Sequence, residues 1–176
     1  MLDPKTLRAL IKYCPKTGQL IWKFRERSAF KSDKDFKRWN NRYAGTFALN
    51  SDNGKGYMHG GIMGKLHKAH RVAWAIHYGE IPAHFIDHVN GNKSDNRIEN
   101  LRVATNSQNK MNMPHPRNNT SGFKGVSFYK RNGRWRAGIG ANGKQKTIGY
   151  FDSPEEAYAA YCNAAKELHG EFARVR

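Results

Sequence analysis

The sequence predicts an α+β protein built from two small modules, on three observations. From Phe85 to Lys110 the pattern is strand, turn-rich loop, strand, helix. From Phe123 onward three short alternating segments precede one amphipathic helix. Between the two, Met113 to Ser121 (MPHPRNNTS) carries two prolines, two asparagines and no apolar periodicity, which marks a linker. The expected division is 1–112, with an inner core at about 66–112, then the linker 113–121, then 122–176. A chain of 176 residues has room for one large or two small domains, each with a modest core.

In chain order, Pro4 to Tyr13 (PKTLRALIKY) reads as a short helix capped by Asp3, with Leu7, Leu10 and Ile11 as its apolar stripe. Pro15-Lys16-Thr17-Gly18 is a turn, and Gln19 to Lys23 an alternating strand. Arg25 to Arg42 crowds Lys and Arg around Phe30, Phe36 and Trp39; a solvated basic loop or helix and a phosphate-contacting arm both fit. From Ala44 to Leu66, glycines among β-formers indicate short strands and tight turns. Lys68 to Tyr78 is a helix with Ala69, Val72, Ala73 and Ile76 on one face, Gly79 as its C-cap and Pro82 beyond. His70 and Arg71 on this helix read as packed or solvated, with a phosphate contact as the sharper role for Arg71. His59, His67, His77 and His84 lack ligand spacing and read as structural.

Composition narrows the partner. A net charge of +17 exceeds what solubility requires and points to a polyanion. Eight tyrosines and four tryptophans among those charges favour nucleic acid over a merely basic surface. Cys14 and Cys162 are single and distant, so reduced core thiols are expected and no zinc knuckle. No apolar run spans a membrane and the polar start does not resemble a signal peptide, so action in the cytosol is expected.

The segment FIDHVNGNKSDNRIENLRVATNSQNK carries the chemistry. Cutting a phosphodiester needs a base to activate water and a cation near the scissile phosphate. His88 suits the first role, because an imidazole titrates near ~6.5. Asp87 and Asn109 offer only oxygen, which fits a hard, hydrated cation such as Mg²⁺. Adjacent strand residues point to opposite faces, so Asp87 and His88 cannot share one role in regular strand. Asn100 suits holding a loop through side-chain-to-backbone bonds. Thr105-Asn106-Ser107 can cap the helix that carries Asn109 in its first turns.

The Asp-His pair, the Asn100-Leu101 pair and Asn109, with GNKSDNRIENLR between, resemble the HNH endonucleases, specifically the phage homing type with a ββα-metal core. The resemblance implies His88 as general base and Asp87 and Asn109 as ligands of one divalent ion per site. It implies Asn100 as the residue that constrains the His88 loop. Asn109 stands where many relatives have a final histidine, which favours Mg²⁺ or Mn²⁺ over softer metals. Also implied are products with 5′-phosphate and 3′-hydroxyl ends and a phage-encoded protein acting in the host cytoplasm.

In the second module, Phe123 to Tyr129, Arg134 to Ala141 and Lys144 to Tyr150 read as strands, with Asn142-Gly143 as a hairpin turn. Ser153-Pro154-Glu155-Glu156 opens a helix striped by Ala157, Ala160, Tyr161, Ala164 and Leu168, and Gly170 ends it. Alternation puts Val126, Phe128, Trp135, Ala137, Ile139 and Ile148 toward the helix. Ser127, Tyr129, Arg134, Arg136, Gly138, Gln145 and Thr147 fall on the outer face, which is basic, relieved by glycine, and able to enter a DNA groove. FKGVSFYKRNGRWRAGIG and IGYFDSPEEAYAAYCNAAKELHG resemble the Apetala-two (ethylene-response-factor) DNA-binding domain. Where that family reads bases with arginines on its first strand this chain has Ser127 and Tyr129, and Thr147 stands at its reading tryptophan. The fold therefore carries over and the recognition sequence does not. Lys124 and Arg131 complete the set of expected DNA contacts.

The reading as a whole is a metal-dependent endonuclease acting on double-stranded DNA, targeted by its C-terminal sheet, as a monomer or a homodimer. The rivals are a DNA-binding or regulatory protein on an inactive nuclease fold, and a packaging protein using its charge for bulk neutralisation.

Overall fold

The computed structural model describes residues 2–115, 118–141 and 143–175. Asn142 of the hairpin signal, and Pro116 and Arg117 of the linker, lie outside the described residues. The chain forms two compact units, Met1–Val103 and Ala104–Arg176. Both mix helices with small antiparallel sheets, as the α+β expectation requires.

The first unit opens with α1 (Pro4–Leu10), capped by the Asp3 carboxylate accepting from the Thr6 N–H at 2.9 Å. This helix stops three residues short of the expected Tyr13. Ile11–Tyr13 instead forms β1, paired with β2 (Leu20–Trp22). A β-branched and an aromatic residue just ahead of Cys14-Pro15, whose geometry disfavours helix, let cross-strand pairing win. The basic stretch resolves into α2 (Asp33–Tyr43), with Ser32 as its N-cap and Asp33 and Asp35 in the first turn. Three short strands follow, β3 (Ser51–Asp52), β4 (Met58–Ile62) and β5 (Lys65–Lys68), in one sheet. Next comes α3 (Ala69–Tyr78), ended by Gly79 at φ 78°.

Helix α3 organises this unit because it is apolar nearly all round. Ala69, Val72 and Ala75 pack with Leu7, Ile11, Leu20 and Ile62. Ala73 and Trp74 pack with Ile86 and Leu101. Its C-terminal carbonyls are not left bare: the Arg8 guanidinium donates to Ile76 at 2.8 Å and to His77 at 3.3 Å. The strands β6 (Phe85–His88) and β7 (Leu101–Ala104) then form a two-stranded sheet, and Thr105 caps α4 (Asn106–Met111) with a full capping box.

The second unit is a sheet of β8 (Val126–Tyr129), β9 (Arg134–Ala141) and β10 (Lys144–Phe151) covered by α5 (Pro154–His169). Strand β8 starts later than expected because Gly125 adopts φ 76°, and a Cβ there would lie 2.2 Å from the Tyr161 ring. Val126, Ala137 and Ile139 face α5 as expected, while Phe128 stays 47% exposed and makes a T-shaped contact with Trp135 at 5.2 Å. On α5 the buried ladder is Ala157, Tyr161, Ala165 and His169; Leu168 is outside it. A strict four-residue step selects that ladder, and His169 joins it by a 2.8 Å bond between its Nε2 and the Gly140 carbonyl. Cys14 and Cys162 are free and half-buried rather than fully in the core.

Candidate functional site

Strand β6 delivers Asp87 and His88 to the heart of the first unit, where both are buried. As adjacent strand residues they turn to different partners. The Asp87 carboxylate accepts through one oxygen from Arg102 Nε at 3.0 Å and from a terminal guanidinium nitrogen at 2.9 Å. His88 Nε2 lies 3.3 Å from Asn96 Oδ1. Asn96 directs its own amide nitrogen to the Ser94 carbonyl, so its oxygen is the acceptor. His88 is therefore protonated on Nε2 and carries its basic lone pair on Nδ1. Burial pushes the imidazole below its usual pKa, against the opposing pull of the Asn96 bond, Asp87 and Asp95. It is neutral at working pH, the form a general base requires.

The loop behind His88 is held shut from several sides. Asn100 Oδ1 accepts the Asn90 N–H at 2.9 Å and Asn100 Nδ2 donates to the Asp95 carbonyl at 2.8 Å. Asp95 anchors Arg97, whose guanidinium holds its carboxyl down at about 2, and accepts from Asn90 at 2.8 Å. From outside, Tyr13 Oη donates to the Asn96 carbonyl at 2.7 Å. Gly18 packs so closely that a Cβ would lie 2.6 Å from the Arg97 nitrogen. The amino-terminal extension is thus a buttress for the residue that orients His88.

Other groups close around the imidazole. The ring of His70 meets His88 edge-on at 5.1 Å, and Tyr57 lies 5.4 Å from His70 and 6.0 Å from His88. Burial pushes His70 down to about 3. Over Tyr57, the ring that stands beside both imidazoles, sit the ammonium groups of Lys68 at 5.5 Å and Lys93 at 4.8 Å. Sequence reasoning missed Asn96, Arg102, Tyr57 and Lys93. The first two left a signal, a carboxamide in the loop and a base on the strand partnering Asp87.

The remaining expected residues are placed as follows. Asn109 is a half-buried residue of α4, itself counted with the second unit. Arg71 donates to the carbonyls of His84 at 2.8 Å and Pro82 at 2.7 Å, which pins the loop before β6. Lys124 turns inward, donating to the carbonyls of Met111 and Met113, and burial lowers it to about 8. Ser127, Arg131, Arg134, Arg136, Gln145 and Thr147 are exposed, Tyr129 partly so. Arg134 also reaches Asp152 at 2.9 Å. A bulge at Ile148 shifts the register so that Tyr150 pairs with Arg136 and joins Tyr129, at 5.3 Å, on the outer face. Alternation alone does not reveal Tyr150.

As for a metal, the Asp87 carboxylate of the first unit offers oxygen, the donor that suits a hard ion. No group of three or more His, Cys, Asp or Glu side chains placed to hold a metal ion exists among the described residues. The Arg102 guanidinium already balances Asp87, so a cation there has to share the carboxylate or displace the arginine. No helix among the described residues is long and apolar enough to cross a membrane.

Two families match the chain, HNH endonuclease over residues 67–111 and AP2 domain over 121–171. Protein 3.8 of Escherichia phage T7 is 39% identical over 113 residues, 64% of this chain and 93% of that protein. An uncharacterized HNH endonuclease, L560, of Acanthamoeba polyphaga mimivirus is 34% identical over 112 residues, 63% of this chain and 57% of its own length. The AP2-like ethylene-responsive transcription factor TOE2 of Arabidopsis thaliana is 44% identical over 55 residues, 31% of this chain and 11% of that protein. No solved structure matches. With the His88 loop inside one matched segment and the three-stranded sheet inside the other, the chain belongs to the HNH endonuclease family and carries an AP2 domain behind its HNH segment.

Proposed function

We propose that this chain is a metal-dependent, homing-type DNA endonuclease acting in the cytoplasm of an infected host. His88 Nδ1 takes a proton from the attacking water, the water oxygen bonds to phosphorus, and the bond to the 3′ oxygen breaks, that oxygen taking its proton from solvent water. The products carry 5′-phosphate and 3′-hydroxyl ends. Asp87 and Asn109 would hold one Mg²⁺ or Mn²⁺, which would supply positive charge to the phosphate and the leaving oxygen. Asn96 fixes the imidazole tautomer and Asn100 fixes the loop; both are positioning residues. Lys68 and Lys93 draw the phosphate toward the site.

In this reading residues 1–112 form the catalytic module, 113–121 the linker and 122–176 the targeting module. DNA lies on the outer face of the C-terminal sheet, against Ser127, Tyr129, Arg134, Arg136, Gln145, Thr147 and Tyr150. The glycines at 138 and 140 support that role. A Cβ at either would meet nothing closer than 3.5 Å, so the fold itself does not require them. Close approach of a ligand does.

The observation that carries the proposal is a buried neutral imidazole whose Nε2 is engaged by Asn96. Nicking of supercoiled plasmid with and without Mg²⁺ tests it. His88→Ala should lower the rate by about 10²- to 10⁴-fold and leave DNA binding intact. Wild-type rates in His88→Ala would refute the mechanism. The ion pair between Arg102 and Asp87 favours a second reading, an inactive DNA-binding protein in which arginine stands in for the metal. That reading requires no Mg²⁺-dependent cleavage in the wild type.

A further inference from the structure

The first unit holds a cavity of about 720 Å³ that lies outside the HNH-matched segment and that the cleavage chemistry does not use. Its lining includes Trp22, Arg25, Trp39, Arg42, Tyr43 and His59, and no carboxylate. Trp22 and Trp39 meet edge to face at 5.7 Å, and Tyr43 lies 5.4 Å from Trp39. The Arg25 guanidinium sits over Trp39 at 5.0 Å and over Phe30 at 4.7 Å. Its backbone is clamped by buried Asn40, which accepts the Arg25 N–H at 2.9 Å and donates to the Arg25 carbonyl at 3.0 Å.

Three further observations mark this as a built site rather than a packing gap. Arg25 Nε and His59 Nδ1 are buried without a hydrogen-bond partner, a condition native proteins seldom tolerate. Leu49 at φ 53° and Met63 at φ 49° are the two non-glycine residues with left-handed backbone among the described residues, and both line the cavity. Such strain concentrates at ligand sites. Opposite Leu49, Gly60 is pressed so tightly that a Cβ would lie 2.8 Å from the Leu49 Cα. The strained wall is held in place by close backbone packing.

The chemistry of the lining selects its ligand. Aromatic faces and a guanidinium held over a ring bind flat π-systems, and the absence of acids leaves an attached anion welcome. An unstacked nucleobase with its phosphate has both properties. We propose that this cavity receives one unpaired nucleobase of the bound DNA, seated against Trp39 and Tyr43, with its phosphate on Arg42. The inference rests on the reading of the chain as a DNA-binding protein but not on cleavage. Its site contributes grip on distorted or opened DNA, apart from the nuclease centre.

The test uses full-length protein in EDTA, where no cutting confuses binding. Two duplexes of one sequence are compared, one fully paired and one with a single bulged 2-aminopurine. A bulge offers a base without the cost of unpairing. The bulged duplex should bind about tenfold tighter, with its fluorescence quenched, since stacking one base on an aromatic side chain is worth a factor of that order. Trp39→Ala should bring the two affinities together. Arg42→Gln, at an exposed position, should weaken the bulged complex several-fold without unfolding the chain, and it decides the matter if Trp39→Ala does not fold. Equal affinity and no quenching in the wild type overturn the proposal. Deoxyadenosine monophosphate bound in place of any bulge preference assigns the cavity to a free nucleotide and overturns the strand-bound base. Failure to bind either duplex removes the DNA reading itself, a different outcome from equal binding to both.

Discussion

The loop after β6 and the outer face of the C-terminal sheet are both rich in polar side chains, yet they treat them in opposite ways. In that loop and at the end of β6 that feeds it, Asp87, His88, Asn96 and Asn100 are all buried, with bonds to neighbours inside the unit. On the sheet, Ser127, Arg134, Arg136, Gln145 and Thr147 stand in solvent, and the ion pair of Arg134 with Asp152 is exposed on both sides. On the proposed function, proton transfer needs one imidazole in one orientation, and burial with bonds would provide it. Binding a polyanion needs charges that can exchange water and counterions for phosphate, and exposure provides that. If the proposed function holds, the contrast teaches that side-chain type alone does not tell a catalytic polar group from a recognition one. The bonds it makes do.

If that contrast holds, the largest effects come from breaking the loop. Asn100→Ala leaves the Asn90 N–H and the Asp95 carbonyl without their partner, which costs about 1–3 kcal/mol. Displacing His88 by an ångström slows cleavage by about 10²-fold. Urea unfolding and plasmid nicking read both effects, and an Asn100→Ala protein as stable and as fast as wild type would break the comparison. Next in size is Gly18→Ala. Its φ of 75° disfavours a side chain, and the Cβ has no room against Asn96 and Arg97. The strain is about 1–3 kcal/mol, and nicking should slow although Gly18 touches no reacting group. Normal nicking at reduced stability would show that the buttress stabilises the fold without orienting His88.

Both modules were legible in the sequence, and so were the elements around the site, because caps and turn residues act locally. Thr105 starts α4, Gly79 ends α3, and Asn100 has the loop-holding bonds its type suggested. What escaped depends on chain separation. Nothing local says that Tyr13 and Gly18 reach Asn96, or that the base on β7 facing Asp87 is Arg102. Ile11–Tyr13 left α1 because a partner strand was available, and Tyr150 changed face because a bulge broke the period. Lys124 shows the opposite limit: a lysine beside a presumed DNA face turned inward to bond two carbonyls.

A pH titration sharpens the buried side of the comparison. The fold holds His70 neutral, with its pKa pushed down to about 3 by burial first and then by His88, Lys68 and Arg71. The unfolded chain takes up the proton near ~6.5. Since the folded value is the lower one, this contribution to stability is complete above ~6.5 and fades as the pH falls toward about 3. Melting temperature should therefore drop in that window, and His70→Phe should flatten the drop. An equal drop in both proteins would assign acid lability to other groups.

The smallest effects belong to the exposed face, and they discriminate best. Arg136→Ala should change folding stability by less than ~0.5 kcal/mol, because the residue lies in solvent on a strand whose neighbours Trp135 and Ala137 carry the packing. Its mark should appear in the salt dependence of DNA binding. Losing one phosphate contact lowers the slope of log affinity against log salt by about 1. Removing Asn118 to Arg176 outright is a blunter experiment, since α4, which carries Asn109, is tied to that unit through Lys124 and Met111. A deletion therefore mixes loss of targeting with damage to a proposed metal ligand. The point variant keeps them apart: a changed salt slope with an unchanged nicking rate at saturating DNA separates recognition from chemistry. A changed rate at saturation would mean that the exposed face does more than hold the substrate.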